Sequence, residues 1–261
     1  MDIDLLGKRA VVCGSTQGIG KAIAMELALQ GAAVTLLARN EERLQAVLSE
    51  LPRNSQQGHH YLVADFAIPE RVKAVISEYT SQHDVQILVN NTGGPPGGRA
   101  IDANPDEFAE AYAQHLICNQ ILAQACVEGM KRSGYGRIIN VISTSVKVPI
   151  RGLGVSNTVR GAVASWAKTL ATELGPYGIT VNNLLPGAFE TGRMRDLVKT
   201  RAKESGKTEQ EILDGMIREI PVGRIGDTRE IAAAAAFLAS PAASYINGIN
   251  LPVDGGRTPA I

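Results

Sequence analysis

The stretch Lys8-Arg-Ala-Val-Val-Cys13-Gly14-Ser15-Thr16-Gln17-Gly18-Ile19-Gly20 decides how the chain is read. Lys8 to Cys13 is a short, largely apolar run of the kind that forms a buried strand. Seven residues rich in glycine follow, and Lys21 to Gln30 then has helical spacing that Gly31 ends. The glycines let the backbone turn tightly, and they let a pyrophosphate approach the free amides at the start of the next helix. Such a turn is informative because it sits between a strand and a helix.

Working outward, the same rhythm recurs. Ala32–Ala38 reads as a second strand and Glu41–Leu51 as a charged helix. Tyr61–Ala64 is a third strand, Glu70–Tyr79 a helix, and Gln86–Asn90 a fourth strand. Asp106–Lys131 is one long helical segment, Arg137–Ile142 a fifth strand, and Asn157–Leu174 an Ala-rich helix. Thr180–Leu185, Arg229–Ala239 and Ile249–Val253 read as strand, helix and last strand. Strands alternating with helices of this length predict βαβ units: an α/β fold with a parallel, doubly wound sheet covered on both faces. A polar, charged, partly helical region, 187–225, interrupts the rhythm after the sixth strand and is expected to be a lid or binding insertion. No repeat or linker divides the rest, so residues 1–261 are expected to form one domain.

Composition narrows the function. Twenty-six basic residues balance 26 acidic ones, which argues against a nucleic-acid partner. The three cysteines, Cys13, Cys118 and Cys126, are too few and scattered for a disulfide framework or a cysteine-rich metal site. No metal is expected. The acidic N-terminus lacks the features of a signal peptide, and no apolar run approaches a membrane span, so a cytoplasmic protein with no membrane partner is expected.

The spacing Gly14-x-x-x-Gly18-x-Gly20 resembles the short-chain dehydrogenase/reductase family, and further motifs follow in that family's order. Asn90-Asn91-Thr92-Gly93 is similar to its N-N-A-G, Asn182 with Pro186-Gly187 to its N-x-x-x-P-G, and Val253-Asp254-Gly255-Gly256 to its V-D-G-G. The resemblance implies a single Rossmann-type NAD(P)-binding domain. It assigns to the cofactor Gly14, Ser15, Gln17, Gly18, Ile19, Gly20, Asn91, Gly93, Pro186 and Gly187, with Asp65 at the adenine and Thr191 at the nicotinamide carboxamide. Arg39 ends the second strand, where a carboxylate would accept from the ribose 2′-OH of NAD. A guanidinium instead suits a 2′-phosphate, so NADP(H) is expected as the preferred cofactor, with NAD(H) second.

Reduction of a carbonyl leaves negative charge on oxygen that needs a proton and hydrogen-bond donors. The family uses Ser, Tyr, Lys and Asn. Ser143 matches its serine. Thirteen residues on, where the family has Tyr, stands Ser156, and its Lys is replaced by Arg160. The Asn position falls on His115. These four are the expected catalytic group, and Arg160 is also assigned to the nicotinamide ribose. The segment Leu153-Gly-Val-Ser156-Asn157-Thr-Val-Arg160 resembles a divergent subgroup related to 3-oxoacyl-acyl-carrier-protein reductases that lacks Tyr-x-x-x-Lys. Arg99, in the glycine-proline segment after the fourth strand, Lys147 and Phe189 are expected at the substrate.

Two readings stay open from these residues. One is an NADP(H)-dependent carbonyl reductase or alcohol dehydrogenase with an altered proton donor, acting on a small carbonyl or alcohol that is free or bound to a carrier protein or coenzyme A. The other is a non-catalytic dinucleotide- or metabolite-binding protein, a sensor or scaffold. The resemblance also implies a homodimer or homotetramer, built through the helices on either side of the fifth strand.

Overall fold

A computed structural model describes residues 1–54 and 57–260. Seven strands, β1 (Arg9–Cys13), β2 (Ala33–Ala38), β3 (His60–Val63), β4 (Ile87–Asn90), β5 (Gly136–Val141), β6 (Ile179–Pro186) and β7 (Asn250–Val253), form one sheet in the order β3-β2-β1-β4-β5-β6-β7. All six pairings are parallel. The strand order reverses between β1 and β4, and the crevice outside the carboxyl ends of strands at such a reversal is where open α/β sheets take ligands.

Both faces of the sheet are apolar, because alternate residues of one strand feed opposite cores. Ala10, Val12, Val34, Leu36, Ile87 and Val89 pack with α1 (Gly18–Leu29), α2 (Glu41–Glu50) and α9 (Thr228–Ala239). Val11, Cys13, Leu37, Leu88 and Ile138 pack with α3 (Pro69–Gln82), α5 (Cys118–Ser133) and α6 (Gly154–Leu174). The three cysteines are buried free thiols in the second core, whose burial pushes Cys118 and Cys126 up to about 12. Among the described residues no helix is long and apolar enough to cross a membrane, and no cluster of His, Cys, Asp or Glu could hold a metal ion.

The long helix expected over Asp106–Lys131 is interrupted. The chain forms α4 (Pro105–Tyr112), one π-helical turn at Ala113–Ile117, and then α5. Asn104 starts α4 through a reciprocal capping box with Glu107. A π turn inserts one extra residue into an otherwise helical run and re-aims the side chains within it, which apolar periodicity does not register. Region 187–225 contains α7 (Gly192–Ser205) and α8 (Glu209–Arg218).

A ladder of asparagine side chains crosses the sheet. Asn90 Nδ2 donates to Asn140 Oδ1 at 2.8 Å, Asn140 Nδ2 to Asn183 Oδ1 at 2.9 Å, and Asn183 Nδ2 to Asn250 Oδ1 at 2.8 Å. The four residues share one register across β4 to β7. Asn90, Asn140 and Asn183 are buried, so each amide depends on its neighbour. Asn140→Leu should destabilise the fold by about 2–4 kcal/mol, because it orphans a donor on Asn90 and an acceptor on Asn183. Urea denaturation reads this; a loss below about 0.5 kcal/mol would show that the ladder contributes nothing.

Candidate active site

The cofactor end is built on a close backbone approach. Gly14 has φ +59°, and a Cβ there would stand 2.5 Å from the Asn91 carbonyl oxygen. At Gly20 a Cβ would stand 2.2 Å from the Gly14 carbonyl oxygen and 2.6 Å from Asn91 Nδ2. Only glycine fits where α1 presses on the end of β1. Asn91 closes this contact by donating its side-chain amide to Cys13 O at 3.2 Å and Gly14 O at 3.3 Å. The turn of Ser15 to Gln17 thereby faces the crevice with the N-terminus of α1 behind it. Ser15 is fully buried with no hydrogen-bond partner for its hydroxyl, Ile19 packs partly on the first core, and the Gln17 amide oxygen accepts from Arg43 Nη1 at 3.5 Å.

Beside this turn lies a cavity of about 440 Å³ lined by Arg39, Asn40, Val63, Ala64, Asp65, Ile68 and Arg71. Arg39 is largely exposed and 3.9 Å from the Asp65 carboxylate. Asp65 Oδ1 accepts from the Ala67 amide at 3.0 Å, which fixes the carboxylate at the cavity wall. Arg71 lines this cavity and Arg43 reaches Gln17 in the glycine-rich turn; neither guanidinium is among the residues the sequence pattern pointed to. Arg43 lies one turn into α2 after Arg39, a spacing that could have suggested it; Arg71 comes from α3 and has no local signal. Across the crevice, the Gly187 amide donates to Val253 O at 2.9 Å, which locks the Pro186-Gly187 turn to the segment before Asp254. Thr191 caps α7 by accepting from the Met194 amide, and its methyl lies 3.2 Å from where a Cβ on Gly18 would stand. The start of the insertion therefore touches the glycine-rich turn.

Of the expected catalytic residues, Ser143 follows the carboxyl end of β5, and Arg160 and His115 meet at Thr92, just after β4. Ser143 Oγ accepts from the Ser145 amide at 3.0 Å, which leaves its own proton to donate. Arg160 is buried in α6, and its guanidinium donates to Val141 O at 3.2 Å and Thr92 O at 3.5 Å. Burial and the nearby Arg193 lower it to about 10, so it stays charged at neutral pH. Ser156, in the first turn of α6, is buried and makes no side-chain hydrogen bond among the described residues. His115 is buried in the π turn. Its Nδ1 hydrogen-bonds the Thr92 hydroxyl, and its Nε2 has no partner. Burial first, then Arg160 and Arg193, lower its pKa to about 3.

The three expected substrate residues do not gather there. Phe189 is 5% exposed, packed in the first core and pressed on Gly226, where a Cβ would stand 2.7 Å from its ring. It is a packing residue, because the parallel bridge between Phe189 and Gly226 turns the ring inward. Arg99 is mostly exposed and pairs with Asp102 at 3.5 Å. Lys147 ends a short turn at the surface. The glycine-proline segment that carries Arg99 is stitched to the loop before α6, the Gly98 amide donating to Gly152 O at 2.7 Å and the Gly154 amide to Gly98 O at 2.9 Å.

A parallel sheet with a glycine cradle at its strand-order reversal, and a serine at the end of the next strand but one, defines a dinucleotide-dependent oxidoreductase of the Rossmann type. The chain belongs to the short-chain dehydrogenase/reductase family. A family model described as enoyl-(acyl carrier protein) reductase matches residues 14–258. The chain is similar to the 3-oxoacyl-(acyl-carrier-protein) reductase FabG of Vibrio cholerae, 34% identical over 255 residues that cover 97% of this chain and 98% of the relative. It also resembles the NADPH-dependent reductase BacG of Bacillus subtilis, 29% identical over 97% of this chain and 99% of that one. Among solved structures, the L-sorbose reductase of Gluconobacter frateurii complexed with NADPH and L-sorbose superposes over 100% of both chains, with TM-score 0.94 and 31% identity.

The state of His115 sets a pH dependence. Its folded pKa lies far below the ordinary 6.5. Between about 6.5 and about 3 the unfolded chain binds a proton that the folded chain does not, so stability falls as pH falls through that window. The slope contributed is at most about 1.4 kcal/mol per pH unit. Burial also lowers His59 and His60, so the comparison is between wild type and His115→Asn. The variant should lose less stability between pH 6.5 and 4.5 in urea titrations; identical acid profiles would show that His115 titrates normally when folded.

Proposed function

We propose that this chain is an NADP(H)-dependent carbonyl reductase or alcohol dehydrogenase, similar to 3-oxoacyl-carrier-protein reductases, in which the proton-handling half of the site has been rebuilt. The observation that carries the reading is the pairing of the Gly14-Gly18-Gly20 cradle with the arginine-lined cavity at Arg39 and Arg71. A dinucleotide diphosphate fits the cradle, where a side chain at 14 or 20 would collide with backbone. A ribose 2′-phosphate fits between guanidiniums that offer planar pairs of donors. NADPH-dependent relatives support the choice of NADP(H).

Bound NADPH supplies hydride to a carbonyl carbon. The chain must then stabilise and protonate the carbonyl oxygen. Ser143 is held with its proton free to donate to that oxygen. Ser156 stands in the family's tyrosine position but is shorter by a ring and a far weaker acid. Arg160 keeps a positive charge in the site and offers donors to the nicotinamide ribose, yet it cannot pass a proton as lysine can. The Thr92 hydroxyl and neutral His115 form a short donor–acceptor pair, which could hand a proton on only if a donor, such as a solvent molecule, reached the otherwise unpartnered Nε2. His115 would act there in its neutral form, because a group held near 3 is deprotonated at physiological pH. The insertion acts as a lid through the contact of Thr191 with Gly18. A free, carrier-bound or coenzyme A-bound acyl substrate and a homodimer or homotetramer built on α5 and α6 complete the reading.

The pair Ser156 and Arg160 favours a second reading, a non-catalytic dinucleotide or metabolite binder. Turnover of a carbonyl panel with NADPH separates the two. The reductase reading expects activity in wild type that Ser143→Ala lowers by about 10²–10³-fold with little change in KM. A wild type inert on the panel, made active by Ser156→Tyr with Arg160→Lys, would establish the binder. Arg39→Leu should weaken NADPH by about tenfold, the worth of a charge-assisted contact on an exposed group, and leave NADH within about twofold. Equal weakening of both would remove Arg39 from the 2′-phosphate.

A further inference from the structure

Three nitrogenous groups converge on the short turn after β4. Arg160 reaches the Thr92 carbonyl from α6, and His115 bonds the Thr92 hydroxyl from the π turn. Arg193, in the first turn of α7, lays its guanidinium on Gly94, where a Cβ would stand 2.9 Å from both terminal nitrogens. Arg193 thus spans the crevice from the insertion to the β4 side, two residues after Thr191 touches Gly18. Among the described residues neither Arg160 nor Arg193 has a carboxylate within ion-pair distance.

Two like charges in a partly desolvated crevice repel, and no acidic side chain enters among the groups that influence Arg160 or His115. The chain elsewhere pairs its arginines readily, as Arg224 does with Glu230 and Arg229 with Asp227. An uncompensated pair kept at the mouth of a ligand crevice is the electrostatic shape of a receptor for an anion.

We infer that Arg193, with Arg160 beneath it, forms an oxyanion-binding site that closes the insertion over the crevice when an anionic group replaces the contact with Gly94. Two sources carry that chemistry: the dinucleotide diphosphate, and a carboxylate on the carbonyl substrate. The inference deepens the dinucleotide-dependent reductase reading, on which its enzymatic arms rest. It assigns Arg193 to positioning and specificity rather than to proton transfer.

The test compares wild type, Arg193→Gln and Arg193→Lys. NADPH and NADH are titrated by nicotinamide fluorescence. Matched free acids and methyl esters of 2-, 3- and 4-oxo acids are assayed with NADPH. Thermal midpoints are read with inorganic pyrophosphate, with no cofactor present. At least a tenfold loss of both NADPH and NADH affinity in Arg193→Gln, with partial rescue in Arg193→Lys, assigns the site to the diphosphate. Unchanged cofactor affinity, with at least a tenfold wild-type preference for acids over esters that Arg193→Gln abolishes, assigns it to the substrate carboxylate. An Arg193-dependent thermal shift with pyrophosphate, in a protein that neither binds NADPH nor reduces any carbonyl, keeps the oxyanion site and removes the reductase reading. Cofactor affinity, acid preference and pyrophosphate response that are all indifferent to Arg193 would overturn the inference.

Discussion

The contact between Asn91 and the carbonyls of Cys13 and Gly14 is the constraint on which the rest of this structure depends. It joins the end of β1 to the chain leaving β4, the two strands between which the order of the sheet reverses. The helix α1 fits against this junction only because positions 14 and 20 lack a Cβ. One close approach therefore sets the path of β1, the angle at which α1 leaves it, and the crevice between the two halves of the sheet. Ligand chemistry follows from geometry: the amides at the start of α1 face the crevice, and the ends of β2 and β3 supply the arginine-lined cavity beside it.

The other half of the crevice is polar to an unusual depth. The asparagine ladder runs through β4 to β7, and His115, neutral at physiological pH, and the charged Arg160 are buried at the turn after β4. A buried guanidinium carries a large desolvation cost unless its donors are met. Two backbone carbonyls meet some of them. What remains is the charge of Arg160 with Arg193 nearby and no carboxylate at ion-pair distance among the described residues, the observation behind the anion site inferred above. In the reductase proposed above, Ser156 and Arg160 at the positions where the family has Tyr and Lys would favour charge stabilisation over proton donation, leaving Ser143, Thr92 and His115 as the groups to test for proton handling.

Much of this was legible in the sequence, because the sheet is buried on both faces and its strands read as short apolar runs between helices. All seven strands lie within a residue or two of where the pattern places them. The glycine spacing located the cradle because close approach leaves no other residue type. What escaped has a common cause. The π turn that aims His115 at Thr92 inserts a residue without disturbing the apolar stripe. Phe189, expected at the substrate, packs into the core through its bridge to Gly226. Arg71, and the meeting of Arg193 with Gly94, depend on which helix start lies opposite which strand end. The asparagine ladder exists only through the register of four strands. Each is a long-range relation that no local pattern encodes.

If the cradle at the β1–β4 reversal holds a dinucleotide, the protein must bind NADPH in solution. Trp166, the chain's single tryptophan, allows energy transfer to a bound nicotinamide to be followed directly while the purified protein is titrated with NADPH. Binding of one NADPH per chain should be saturable, with enhanced nicotinamide emission that NADP displaces. No saturable binding up to millimolar NADPH, in a protein shown to be folded, would contradict it.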